Sequence, residues 1–142
     1  MENIRELLAE KGHDVWSIGP DVTVFEAIEL MSGKEIGALV VVDHDRLVGI
    51  MSERDYARKV ILDGRSSKDT LVREIMTLRV IYAQPHQSIE DCMMIMSDNR
   101  IRHMPVLEDE RLIGMISLKD LAQAIISEQR TMIEQLETYI IG

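Results

Sequence analysis

Two short stretches of this chain set a hydroxyl and a carboxylate three residues apart, with a cation beside the acid. They are Ser52-Glu53-Arg54-Asp55 and Ser117-Leu118-Lys119-Asp120. At the start of a helix such a pair is a capping box, in which each side chain satisfies the other residue's backbone N–H. The same place also exposes unpaired N–H groups at the positive end of the helix dipole, a natural seat for a small anion such as phosphate. Arg54 and Lys119 lie two residues beyond Ser52 and Ser117, and Arg58, Arg102 and His103 are further candidate cations for that seat. Catalytic patterns are absent: no Ser/His/Asp order, metal-ligand spacing or Walker-type glycine loop is present. The single Cys92 can form neither an intrachain disulfide nor a thiolate zinc site, and its helical position marks it as a small buried residue.

The two stretches sit inside a duplication. Gly49-Ile50-Met51-Ser52-Glu53-Arg54-Asp55 matches Gly114-Met115-Ile116-Ser117-Leu118-Lys119-Asp120, and 114 − 49 gives an offset of 65. At that offset 15–61 lies on 80–126 without a gap, with the same residue in 13 of 47 columns, so the chain is one unit used twice.

Each copy reads as β-α-β-β-α. Val15–Ile18 and Val80–Ala83 are predicted first strands, each followed two residues later by proline. Thr23 and Ser88 cap the next helices, which bury Val24, Ala27, Ile28 and Met31 in one copy and Ile89, Cys92, Met93 and Met96 in the other. Ala38–Val42 with Leu47–Ser52, and Met104–Leu107 with Leu112–Ser117, are hairpins. Helices then follow from Asp55 and Asp120, the second running to about Tyr139. The helical pattern Ile4–Lys11, closed by Gly12, has its counterpart in Leu71–Met76.

Composition narrows the function class. Of 142 residues 46% are hydrophobic and 29% charged, the balance of a globular chain. A formal net charge of −9 argues against nucleic acid as a partner, yet leaves room for a small anion in a locally basic cleft. No apolar run reaches the roughly 20 residues of a membrane span, and the charged start Met1-Glu2-Asn3-Ile4-Arg5 lacks a signal-peptide core, so a cytoplasmic protein is expected. His13, His44 and His86 read as solvated loop histidines, and the ten methionines as adaptable packing.

With two copies ending in Gly-apolar-apolar-Ser-x-x-Asp, and Arg100-Ile101-Arg102-His103-Met104-Pro105-Val106 entering the second hairpin, the chain resembles a pair of CBS domains, a Bateman module. The first copy departs at that entry, with Glu35-Ile36-Gly37-Ala38. The resemblance implies an α/β sandwich of pseudo-twofold repeats: 7–62 as repeat 1, 63–70 as linker, 71–127 as repeat 2 and 128–142 as a C-terminal helix. It implies a regulatory, non-catalytic module binding an adenosine-containing ligand (AMP, ADP or ATP, with NAD a longer variant) in the cleft between repeats, and signalling to an effector protein. On this analogy Asp55 and Asp120 accept the ribose hydroxyls, a vicinal diol suiting a bidentate carboxylate. Ser52 and Ser117 meet phosphate, and adenine slips between strand residues drawn from Ser17, Ile18, Ile50, Tyr82, Met104, Pro105 and Met115. Trp16, next to Ser17, serves either that pocket or the core.

A ligand-independent oligomerisation scaffold is the rival of a different class. A homodimer is expected through the outer helical faces of the repeats, Ala57, Val60 and Ile61 with Ala122, Ile125 and Ile126, to which the C-terminal stripe Met132, Ile133, Leu136 and Ile140 adds apolar surface; the resemblance points the same way, towards disc-like dimers of paired repeats. Folding of that last helix over Ile4–Leu8 would be the intrachain alternative.

Overall fold

The repeat places a strand-to-helix junction at the end of each hairpin, and the architecture is built around those two junctions. The computed structural model describes residues 2–141. In chain order it contains α1 (Ile4–Lys11), β1 (Ser17–Ile18), α2 (Val24–Lys34), β2 (Ala38–Asp43), β3 (Arg46–Ser52) and α3 (Glu53–Tyr56), which continues as a π-helical turn over Ala57–Ile61. The second half contains α4 (Val72–Ile75), α5 (Ile89–Asn99), β4 (His103–Glu108), β5 (Arg111–Ser117) and α6 (Leu118–Ile141).

The elements form two compact units that do not follow the repeat boundaries. Residues 15–81 make one, the first-copy unit; residues 2–14 together with 82–141 make the other, the second-copy unit. So α1, which precedes the first copy, belongs in space to the second, and α4, which precedes the second copy, belongs to the first.

The backbone bonds explain the exchange. Ile4 and Arg5 N–H donate to Gln87 O and Pro85 O, while Val72 and Arg73 N–H donate to Val22 O and Pro20 O. Pro85 and Pro20 are repeat counterparts, so α1 and α4 do the same job. Their spacing is 72 − 4, or 68 residues, three more than the repeat offset. The linker 63–70 is likewise tied to the first-copy unit, with Val24 N–H donating to Thr70 O and Phe25 N–H to Ser67 O.

In the first-copy unit β1 runs parallel to β2, and β2 antiparallel to β3. Its core gathers Val24, Ala27, Met31, Leu39, Val41, Met51, Val60, Val72 and Ile75. In the second-copy unit the β4–β5 hairpin covers a core that includes Ile4, Leu8, Ile89, Cys92, Met96, Met104, Ile116 and Leu121, all nearly or fully buried. Burial pushes the Cys92 thiol up to about 11, with the nearby Asp91 adding to the shift, so it stays a neutral packing residue. Both hairpins turn through two residues with positive φ, His44-Asp45 and Asp109-Glu110, the backbone that a two-residue type I′ turn requires.

Two expectations change. The predicted strand Val80–Ala83 is reduced to one parallel bridge, Ala83 to Val106. In the first copy Val40 N–H reaches Trp16 O at 3.4 Å; the counterpart of Val40 is Pro105, which has no N–H to donate. The helix predicted over Asp55–Leu62 begins two residues earlier and widens into the π-helical turn after Tyr56.

Candidate functional site

Ser52 ends β3 and caps α3. Its Oγ accepts from Asp55 N–H at 3.2 Å, and its own N–H donates to Asp55 Oδ2 at 3.0 Å, a complete capping box. The second copy repeats the reciprocal pair: Ser117 Oγ accepts from Asp120 N–H at 3.1 Å, and Ser117 N–H donates to Asp120 Oδ2 at 2.9 Å. The structural reading of Ser-x-x-Asp therefore holds in both units. It also fixes both carboxylates in place, mostly buried, with side chains 13% and 22% exposed. A carboxylate so oriented loses little entropy on accepting an external donor.

Each acid is matched by a lysine, and the two lysines arrive by different routes. Asp55 Oδ1 lies 3.2 Å from Lys59 Nζ, one turn further along the same helix, and 3.3 Å from the donating hydroxyl of Thr77 just beyond α4. Lys59 also donates to Ile75 O at 2.9 Å. Asp120 Oδ2 instead accepts from Lys11 Nζ of α1 at 2.6 Å, and Lys11 donates in addition to Met115 O at 2.5 Å. Burial alone would raise the Asp120 carboxyl. The hydrogen bonds from Lys11 and from Ser117 N–H outweigh it and hold the group below the usual carboxylate range.

The repeated glycine of the motif makes these approaches possible. A Cβ on Gly114 would lie 2.7 Å from Leu8 Cδ2, and one on Gly49 would lie 2.8 Å from Met76 Sδ and 3.1 Å from Thr77 O. Leu8 and Met76 are 68 residues apart, the same spacing as α1 and α4. The two glycines are the slots through which Lys11 and Thr77 are brought to the carboxylates.

Strand register sorts the remaining candidates. Directly opposed residues share a face. Ser17 pairs with Val40, and Val40 with Ile50, so Ser17 and Ile50 share the face of Ser52. In the second-copy unit His103 pairs with Ser117, and Pro105 with Met115, a second common face. Ile18 pairs with Val41 and packs on the core, and Met104 is wholly buried opposite Ile116; both turn away from the serine face. Arg54, Arg58, Arg102 and Lys119 are exposed, and Tyr82 is nearly half exposed. Trp16 is exposed rather than core-packed, with Lys34 Nζ 4.2 Å from its ring centroid.

Two residues escaped the sequence reading. Lys11 and Thr77 stand outside the aligned copies, and only their positions at the ends of matched helical segments mark them. His13 also differs from a purely solvated role: its Nδ1 lies 2.9 Å from Ile113 O. A groove of about 530 Å³ opens beside Asp120 between α1 and α6, lined among others by Lys11, Gln123, Ser127 and Arg130. No helix among the described residues is long and apolar enough to cross a membrane.

Comparison with known proteins agrees with this architecture. The CBS domain family model matches residues 4–62 and 72–127. The CBS domain-containing protein CBSX3, mitochondrial, of Arabidopsis thaliana is 44% identical over 127 residues, which cover 86% of this chain and 62% of that protein. YhcV of Bacillus subtilis is 33% identical, with 76% of each covered. A putative signal-transduction protein with CBS domains from Burkholderia ambifaria superposes with a TM-score of 0.87 at 46% identity, covering 89% of this chain and 96% of that one. The domain pair of protein MJ0100, solved with 5-methylthioadenosine and S-adenosyl-L-methionine, shares the fold at 24% identity and a TM-score of 0.79, covering 89% and 97%.

Proposed function

The chain belongs to the CBS domain family, with one domain per repeat, and from that premise we propose that it is a regulatory module binding an adenosine-containing ligand. AMP, ADP and ATP are the favoured ligands, with NAD the dinucleotide variant. The observation that carries the reading is the pair of oriented carboxylates, Asp55 and Asp120, each locked by its capping serine at a strand-to-helix junction. The ribose diol donates to the carboxylate, and phosphate lies over Ser52 or Ser117 at the helix start. The base stacks on the strand face holding Ile50 in one unit, or Pro105 and Met115 in the other. Arg54, Arg58, Arg102, His103 and Lys119 supply the positive potential that the net charge of the chain does not. The fold accommodates adenosine compounds in MJ0100, which lends the reading support at the level of architecture.

In this role the protein catalyses nothing; it passes occupancy to an effector protein, and it acts as a homodimer. Calorimetric titration of nucleotide-stripped protein with AMP, ATP, NAD and S-adenosylmethionine tests it, alongside thermal melting. A ligand selective for the folded state adds about 2.7 kcal/mol at 100-fold excess over Kd. If none of the four gives heat or moves the melting temperature at millimolar concentration, the scaffold reading replaces it. The exposed apolar stripe of α6 is the observation that keeps that rival alive.

A further inference from the structure

The last buried residue of α6 is Ala124; from residue 126 to 141 every position is exposed, about 24 Å of helix at 1.5 Å per residue. The intrachain cover over Ile4–Leu8 considered from the sequence is therefore not made: Ile133, Leu136 and Ile140 stand 55, 55 and 79% exposed. An open apolar stripe on this length of helix is the kind of surface that a partner covers.

The stripe repeats at alternating steps of three and four: Ile126, Gln129, Ile133, Leu136, Ile140. Those are the a and d positions of a two-helix seam, with isoleucine at every a. Ser127, Glu128, Thr131, Glu134, Gln135 and Thr138 take the outer face, and Arg130 and Glu137 flank the seam at the e positions.

We propose that the occupant is the α6 of a second copy of this chain, packed antiparallel as a short coiled coil; the inference rests on the homodimer reading above and gives it an interface. Charge selects the orientation. With Ile133 set against Leu136 of the partner subunit, the outer layers pair Ile140 with Gln129. In that register the e positions of the two helices oppose each other, so Arg130 meets the partner's Glu137 at both ends. Sliding the helices by one heptad would set Arg130 against its own copy. A parallel pair would leave Arg130 beside Ile125 and Glu137 beside Met132, with no opposite charge for either. Met132 and Tyr139, 59 and 86% exposed, widen the apolar surface beside the seam.

Sedimentation equilibrium on the full chain is the first test. Ile133→Glu with Leu136→Glu, both exposed and so harmless to the folded units, raises the dimer Kd by at least about 100-fold. Arg130→Glu raises it roughly 3- to 10-fold, and adding Glu137→Arg restores it. Orientation is read by mixing Gln129→Cys protein with Ile140→Cys protein under mild oxidation. The antiparallel seam gives the mixed disulfide, whereas homodisulfides of Ile140→Cys overturn it. A dimer that survives the double glutamate variant sinks this interface and leaves the homodimer reading standing. A wild-type chain that sediments as a monomer sinks both, and then the stripe serves a different protein.

Discussion

Asp55 and Asp120 occupy the same column of the duplication and each accepts from the N–H of its own capping serine, Ser52 or Ser117, yet their counter-charges are unrelated. Lys59 comes from the next turn of the helix that Asp55 starts; its repeat counterpart is Ala124. Lys11 comes from α1, over a hundred residues away from Asp120 in sequence. Duplication preserved the need for a cation beside a mostly buried carboxylate, because an unpaired one is costly, but not the residue that supplies it. The surroundings differ further. Asp55 also accepts from Thr77, whereas the second copy carries Arg102 and His103 where the first has Gly37 and Ala38. After the junction the first-copy helix dissolves into a π turn, while the second continues unbroken through α6.

The two copies differ most in what their glycines face. Gly114→Ala forces a methyl against fully buried Leu8 and is expected to cost about 3 kcal/mol in chemical denaturation. Gly49→Ala meets the flexible thioether of Met76 and costs about 1 kcal/mol. A larger loss at Gly49 would mean that the Thr77 carbonyl, and not the side chain, sets the approach.

Ligand affinity ranks the two carboxylates. Asp120→Ala is expected to weaken a mononucleotide by about 2 kcal/mol, and Asp55→Ala by less, because Arg102 and His103 reinforce only the second copy. Calorimetry showing equal losses, or a greater loss at Asp55, would place the stronger phosphate site in the first copy with Arg54, Arg58 and Lys59.

Acid titration of stability isolates Asp120. Its folded-state carboxyl is held below the usual range, so it contributes stability above the unfolded value near 4 that is lost as pH falls through the folded value. Asp120→Asn should reduce the loss of unfolding free energy below about pH 5 by up to about 1 kcal/mol, while leaving the part due to other acids. An unchanged acid limb would mean that Lys11 swings away in solution.

The lysines give the smallest effect. Lys11→Met is expected to cost under about 1 kcal/mol at neutral pH, and Lys59→Met about 0.4 kcal/mol, the size of an ordinary i,i+4 pair. Reversal of that order in denaturant titrations would make Lys59 the tighter partner.

Local signals in the chain were informative where the physics is local. Thr23 and Ser88 cap helices through their own neighbours three residues on, and the β-branched run Ala38–Val42 pairs within one hairpin, so both were legible. The missing strand at Val80–Ala83 was also written in the chain, as Pro105, but its effect falls on a partner more than twenty residues away. Composition does not tell which face of a strand Ile18 and Met104 occupy; register does, pairing Ile18 with Val41 and Met104 with Ile116 on the core side.

The duplication, the two capped serine–aspartate junctions and the amphipathic stripe of the last helix are patterns of spacing along one chain, and could be read from it directly. Tertiary structure alone decided which helix serves which copy, because α1 and α4 are too short to hold themselves and settle wherever a glycine leaves room for Leu8 or Met76. That exchange brings Lys11 to Asp120 and Thr77 to Asp55. Lys59 stands four residues from Asp55, a spacing the chain carries, but the charge beside Asp120 is a matter of ångströms in space that no short offset along the chain encodes.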